Sequence, residues 1–297
     1  MTLRQMTGRT DAVVDWYAVN ARDLPWRRAG TSPWGVLVSE LMLQQTPVAR
    51  VEPVWTQWLA HWPTPAGLAA ATPGAAVRAW GRLGYPRRAL RLHECAGVLV
   101  REHRGAVPAN VEQLRRLPGV GNYTAAAVAA FAYQRRAAVL DINVRRVLAR
   151  LVNGVEQPTT VGTTKAEREL ARQLLPDDPQ LAARWSAAAM ELGAVVCTAR
   201  KPHCGACPVA DECAWLRAGR PAGRTPRPAQ TYAGTDRQCR GRLLAVLRDN
   251  DEPVPGHVLA REWDDEPQRA RALAGLVSDG LVEPVSLDRY ALPGVSR

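Results

Sequence analysis

Apolar positions over the first two-thirds of the chain recur at three- and four-residue spacing and are interrupted by turns, the pattern of short helices. It predicts helices over 36–43, 75–83, 89–101, 111–116, 125–133, 144–152, 164–175 and 181–192. Pro63, Pro65, Pro73, Pro108 and Pro118 fall between these segments, where a residue without an amide proton does least harm. Few stretches alternate with period two, so the expected class is all-α.

The pattern changes after Cys213. Residues 219–235, GRPAGRTPRPAQTYAGT, are rich in Pro, Gly and Arg and predict an extended linker whose arginines are free to touch phosphate. A small unit follows, with helices over 237–248, 256–263 and 267–278, the last stopping at Gly280. LVEPV and RYALP then flank a turn at 286–288. Three helices and a terminal hairpin fit a winged-helix module, and a plain helical cap on the main domain fits as well.

Charge narrows the choice of partners. A formal net charge of +11 on 297 residues favours a polyanion, either nucleic acid or an anionic membrane surface. The N-terminal stretch lacks an apolar signal core and carries Asp11 and Asp15. No segment reaches the roughly 18 apolar residues of a membrane span. The expectation is a cytoplasmic protein, in which clustered cysteines bind metal rather than pair. Almost every basic residue is arginine; the two lysines are Lys165 and Lys201.

Cys197, Cys204, Cys207 and Cys213 stand in a C-x6-C-x2-C-x5-C pattern. Four thiolates this close suit a tetrahedral zinc or a 4Fe–4S cluster. Cys95 and Cys239 lie far away and read as small buried apolar residues. The loop between the first two clustered cysteines presents Arg200, Lys201 and His203. Upstream, Asn110 is suited to cap a short helix that ends at LPGVG before a second helix begins near Asn122. Gly119 and Gly121 permit tight turning, and the amides of Gly119, Val120 and Gly121 can hold a phosphate without reading sequence.

Two carboxylates stand out. Glu40 is the only charge between Gly35 and Val48, so it either points to solvent or is desolvated, which favours its protonated form. Asp141 precedes a helix in VLDINVRRVLARL. It serves as N-cap, and helix-start amides there favour its ionised form. One protonated and one ionised carboxyl are what cleavage through an oxocarbenium-like transition state requires. Arg145 and Arg146 add cationic groups nearby.

LPWR at 24–27, SELMLQQT, LPGVGNYTAAA, LDINVRRVLARL and the four cysteines, in this order over roughly residues 20–217, resemble the MutY family of the helix-hairpin-helix, iron–sulfur glycosylases, the superfamily of endonuclease III. The resemblance implies a two-lobed all-α fold. A glycosylase domain over 1–218 would have a helical barrel lobe at about 27–136 and an iron–sulfur lobe from 1–26 and 137–218; a linker over 219–235 and a small C-terminal module over 236–297 would follow. It also implies a 4Fe–4S cluster on the four cysteines, and monomeric binding to double-stranded DNA with a mismatched or damaged pair. Adenine opposite 8-oxoguanine or guanine would be excised. Glu40 would protonate adenine, Asp141 would stabilise the sugar cation, and Asn143 and Tyr123 would hold these groups. Gln44, Gln45 and Thr46 would sit by the gap left by the flipped base; Arg27 and Glu191 would be second-tier pocket residues, with Arg27 counted among those that bind DNA. Tyr123 occupies the position where lyase relatives carry a lysine, which implies a monofunctional enzyme. Three departures bear on recognition: Pro86 stands where the family has a second tyrosine, Ala187 where it has a glutamine, and the tail is too short for a Nudix-like reader. Rival readings are a glycosylase for another base, such as thymine opposite guanine, and a non-catalytic DNA-binding protein.

Overall fold

The computed structural model describes residues 3–223 and 232–294, apart from the side chains of 3–7 and 9. Residues 224–231 of the expected linker, with Arg224 and Arg227, lie outside them. The described residues form two compact units. One comprises 3–36, 108–115 and 120–223; the other comprises 37–107, 116–119 and 232–294.

The first unit is built around α11 (Pro179–Val195), against which α1 (Leu3–Asn20), α8 (Asn122–Tyr133) and α9 (Ile142–Leu151) pack. Its core gathers Val13, Leu148, Leu151, Trp185, Ala188 and Leu192. Residues 120–136, which the expected barrel lobe included, belong here through α8. Helix starts follow local chemistry. Asp178 accepts from the amide of Leu181 with Pro179 at the first helical position, and Thr164 and Glu167 form a reciprocal capping box on α10 (Lys165–Gln173). The first unit also holds α7 (Val111–Leu114), capped by Asn110, and α12 (Ala214–Arg217).

The second unit contains α3 (Val48–His61), α4 (Pro65–Ala70), α5 (Pro73–Trp80) and α6 (Arg87–His103), with α4 and α5 lying on α6. α2 (Pro33–Met42) enters it from the first unit. Trp58 is wholly buried, edge-on to Trp62 at 4.7 Å and to Trp80 at 5.8 Å. Helices α1, α3 and α4 were not anticipated from the pattern. In α3 the reason is Pro53, which sits inside the helix although Val51, Trp55 and Trp58 keep helical spacing on its buried face.

The tail also belongs to the second unit. α13 (Asp236–Arg248), α14 (Gly256–Ala260) and α15 (Glu266–Ser278) are joined by a small antiparallel sheet. Its strands β1 (Val254–Pro255), β2 (Glu283–Ser286) and β3 (Arg289–Ala291) lie in the order β1-β3-β2, with Val254 opposite Tyr290 and Glu283 opposite Ala291. This is the winged-helix arrangement. The module packs on α5: the Gly74 amide donates to the Pro293 carbonyl at 2.7 Å, and the Arg78 guanidinium to the Arg248 carbonyl at 2.6 Å. A Cβ on Gly74 would stand 2.6 Å from that Pro293 oxygen, so the close approach requires glycine.

Candidate functional site

In the first unit the site grows from the start of α9. Asp141 is the N-cap, its Oδ1 accepting from the Val144 amide at 2.7 Å. Its Oδ2 accepts from Asn143 Nδ2 at 2.6 Å. Both carboxylate oxygens are thus fixed. Burial pushes the carboxyl above its ordinary value, against the opposing pull of the Val144 amide, Asn143 and Arg146. This corrects the expectation that helix-start amides would dominate: they are present, and desolvation outweighs them.

Asn143 is held in turn. Its Oδ1 accepts from Arg146 Nη2 at 2.8 Å, and the same Nη2 reaches the Gly193 carbonyl at 2.6 Å. Arg146 Nε donates to the carbonyl of Cys197 at 2.7 Å. A Cβ on Gly193 would lie 2.7 Å from that of Asn143, so α11 can press against Asn143 only with glycine there. Arg145, one position away, points elsewhere, to the carbonyls of Thr160, Val161 and Gly162 and to Glu167.

One turn further along α9, buried Arg150 holds the cysteine loop. It donates to the carbonyls of Thr198 and Ala199, lies 3.4 Å from Cys197 Sγ, and stacks on Trp215 at 4.7 Å. Burial pushes the Cys207 thiol up to about 11, with Cys197, Cys213 and Cys204 close enough to reinforce the shift. Such a thiol is mostly protonated at neutral pH, and binding a metal releases its proton. Four thiolates on one loop are a ligand set for a metal centre. Arg200 and Lys201 are exposed on the loop.

Arg27, expected at the DNA, has an internal partner. Its Nη1 lies 2.7 Å from Glu191 Oε2, and Arg22 bonds the same carboxylate. The Glu191 side chain is fully buried; burial would raise its carboxyl, but Arg22 and Arg27 hold it below the ordinary range. Tyr123, in the first turn of α8, packs partly buried among Ala126, Ala127 and Ala183. Ala187 lies half-buried on α11, one turn before Glu191.

In the second unit Glu40 is 4% exposed on α2, so the solvent-pointing alternative falls. The turn after α2 places Gln44 half-buried, Gln45 exposed at φ +56° and Thr46 buried. Thr46 Oγ1 donates to the Leu83 carbonyl and accepts from Arg88, so it shapes the turn and does not project from it. Gly119 has φ +79°, and a Cβ there would meet Arg91 at 3.1 Å. In the first unit Gly121 has an ordinary φ of −92° and open space around it. The fold therefore demands glycine at 119, while at 121 glycine leaves the N-terminus of α8 uncovered. Cys95 and Cys239 are buried as expected, the Cys95 thiol pushed up to about 12 by desolvation.

Comparison with known proteins decides the family. The model described as "HhH-GPD superfamily base excision DNA repair protein" matches residues 38–173, and that for the iron–sulfur binding domain of endonuclease III matches 197–213. The adenine DNA glycosylase of Mycolicibacterium smegmatis is 53% identical over 95% of either chain. The chain belongs to the adenine DNA glycosylase family. A thymine/uracil-DNA glycosylase of Pyrobaculum aerophilum is 36% identical over 68% of this chain and 88% of its own. A solved structure of a thermostable thymine-DNA glycosylase superposes with a TM-score of 0.66 at 26% identity, covering 72% of this chain and 98% of that one. The iron–sulfur match spans Cys197, Cys204, Cys207 and Cys213, and with the adenine glycosylase relatives it indicates a 4Fe–4S cluster. Because only 5% of either chain falls outside the alignment with the M. smegmatis enzyme, that family member shares most of the tail.

Proposed function

We propose that this chain is a monofunctional base-excision glycosylase that hydrolyses the N-glycosidic bond of adenine paired with 8-oxoguanine or guanine in duplex DNA. The observation that carries the reading is the fixed carboxylate of Asp141, held by the Val144 amide and Asn143 in a chain 53% identical to an adenine DNA glycosylase along nearly its whole length.

Glu40 gives its proton to N7 of the extruded adenine, and the bond from C1′ to N9 breaks with its electron pair going to the base. The sugar becomes an oxocarbenium ion facing Asp141. A carboxylate stripped of water attracts that cation more strongly than a solvated one, which is the use of its burial. Water then adds to C1′ and returns a proton to Glu40, leaving an abasic site. Tyr123 packs by the sugar. Gln45 projects toward the gap in the stack, with Gln44 behind it. The open N-terminus of α8 beyond Gly121, with Arg200 and Lys201, binds backbone phosphate. The four thiolates would hold the cluster, which would supply structure to the loop that carries these two cations.

The thymine-mismatch alternative draws on the Pyrobaculum relative and on Ala187, but that relative's alignment covers only 68% of this chain against 95% for the adenine enzyme. Single-turnover excision on duplexes pairing adenine with 8-oxoguanine, guanine or cytosine, and thymine with guanine, tests the reading. Adenine release opposite 8-oxoguanine and guanine is expected. Release of thymine and not adenine overturns it.

A further inference from the structure

Arg88 stands in the first turn of α6, yet its side chain turns back to the residues that follow α2. Its Nη1 donates to the carbonyls of Leu41 and Met42, each at 3.0 Å, and to that of Gln44. Its Nη2 donates to Thr46 Oγ1 at 2.9 Å and to the Gly84 carbonyl at 3.0 Å. The guanidinium carbon lies 5.2 Å from the Trp80 ring centre and 5.4 Å from that of Tyr85. Leu41 and Met42 are the last residues of α2, whose terminal carbonyls have no partner within the helix. Arg88 thus closes the C-terminus of the helix that carries Glu40, and one planar group spans five acceptors, which a lysine ammonium cannot do.

Each of the two turns it joins holds one residue with positive φ. Gln45 has φ +56° and Tyr85 φ +48°, both in the left-handed region that residues with a Cβ enter at a cost. Such backbone persists only where surrounding bonds over-determine it. Gln45, between the two anchored residues Gln44 and Thr46, is the exposed side chain of the turn. Burial pulls the Arg88 guanidinium down to about 10, still charged at neutral pH.

We infer that Arg88 is a positioning residue for base extrusion: it locks the 41–46 turn in the strained form that projects Gln45, and ties it to the turn at Gly84. This rests on the proposed glycosylase reading for its functional half, while the clamp itself can be measured without DNA.

The test uses full-length protein with its cluster. In Arg88→Met, hydrogen exchange should quicken over 41–46 and not over α9 or the cysteine loop. Unchanged exchange over 41–46 overturns the clamp. Extrusion is then followed with a fluorescent base stacked beside the target adenine. Arg88→Met should slow extrusion and excision by about 10²-fold, the usual cost of a misplaced group, with DNA affinity changed by less than about threefold because phosphate contacts carry it. Arg88→Lys should recover only part of the rate. The deciding measurement is a double-mutant cycle with Gln45→Ala. If Arg88 acts through Gln45, the double variant is no slower than Gln45→Ala alone; if the two losses multiply, the positioning role is wrong. Should wild-type protein fail to release adenine while exchange over 41–46 responds to Arg88→Met, the proposed function falls and the clamp stands.

Discussion

Arg146 Nε donates to the backbone carbonyl of Cys197 at 2.7 Å, while its Nη2 holds Asn143, which holds Asp141. One guanidinium therefore joins Cys197, the first of the four clustered cysteines, to the carboxylate proposed to face the sugar. Truncating it leaves buried acceptors on both sides without a donor, at about 1–3 kcal/mol for each such group. Arg146→Ala should lose both excision rate and cluster retention, read from single-turnover assays and from visible absorbance during gel filtration. Arg146→Lys should retain the cluster better than it retains rate, since a single ammonium cannot bond Cys197 and Asn143 in the same geometry. Full activity in the alanine variant would show that the connection has no consequence.

Glu40 is the proposed proton donor, and Glu40→Gln removes the transferable proton with almost no change of shape. General acid catalysis contributes about 10²–10⁴-fold, so excision should fall by at least that factor. Affinity for the same duplex should hold within a few-fold in a gel-shift assay. Near-normal excision by this variant removes Glu40 from the mechanism.

The ion triplet of Arg22, Arg27 and Glu191 sets a pH limit on stability. Burial alone would raise the Glu191 carboxyl, but the two arginines outweigh it and hold it below its ordinary 4.5. A carboxylate lowered in the folded state contributes stability that is present above the unfolded value and lost as pH falls through the folded one. The melting-temperature gap between wild type and Glu191→Gln should be largest near neutral pH and close below about pH 4.5. A gap constant from pH 7 to pH 4 refutes the assignment.

Both lysines lie away from the proposed chemistry: Lys165 opens α10, and Lys201 lies on the cysteine loop. No Schiff base should form, so the product is an intact abasic strand that breaks only on added alkali or heat. Borohydride during turnover should trap no protein–DNA adduct. The purified protein should be yellow-brown with about four irons per chain; stoichiometric zinc in its place would overturn the cluster.

What could be read from the sequence was local. Asp141 as a cap and Asn110 before a short helix depend on neighbours a few residues away, and both stand as expected. The pairing of Arg27 with Glu191 was not legible, because the two stand 164 positions apart and nothing in the spacing announces it. The bond that anchors Thr46 was not legible either, because its donor, Arg88, stands 42 positions on. Arg88 itself was passed over for a simpler reason: four of its five acceptors are backbone carbonyls, which carry no signature in side-chain identity. The direction at Asp141 depended on how much water the fold removes, which a string of residues does not state.

The tail decides how opposite-base preference should behave. Within 232–294 there are eight arginines against eleven Asp and Glu, a net charge of −3; subtracting it from +11 leaves +14 on the rest of the chain. A module that reads the opposite strand would have to approach phosphate, and a net negative surface is repelled by it. The same module is knitted to α5, where Arg248 Nε donates to the Val77 carbonyl at 3.0 Å and Arg78 pairs with Asp251 at 2.9 Å. It also reaches α6, where Arg87 meets Asp279 at 3.3 Å. The expected role is support of the helices that bear the Arg88 turn. Gly74→Val, which forces a Cβ against the Pro293 oxygen, should therefore lower the melting temperature, by about 2–4 °C per kcal/mol lost in a chain of this size. The ratio of adenine excision opposite 8-oxoguanine to that opposite guanine should stay the same. Cutting the chain at about Gly223 should act in the same direction and further. On the resemblance that sets Pro86 and Ala187 at recognition positions, the ratio in the intact protein should itself be modest, each lost base contact being worth about 1–3 kcal/mol of discrimination. All three proteins are compared at one salt concentration, because the phosphate grip changes steeply with salt. A strong 8-oxoguanine preference that disappears with the tail, at a temperature where the truncated protein is still folded, would make the tail a reader despite its charge.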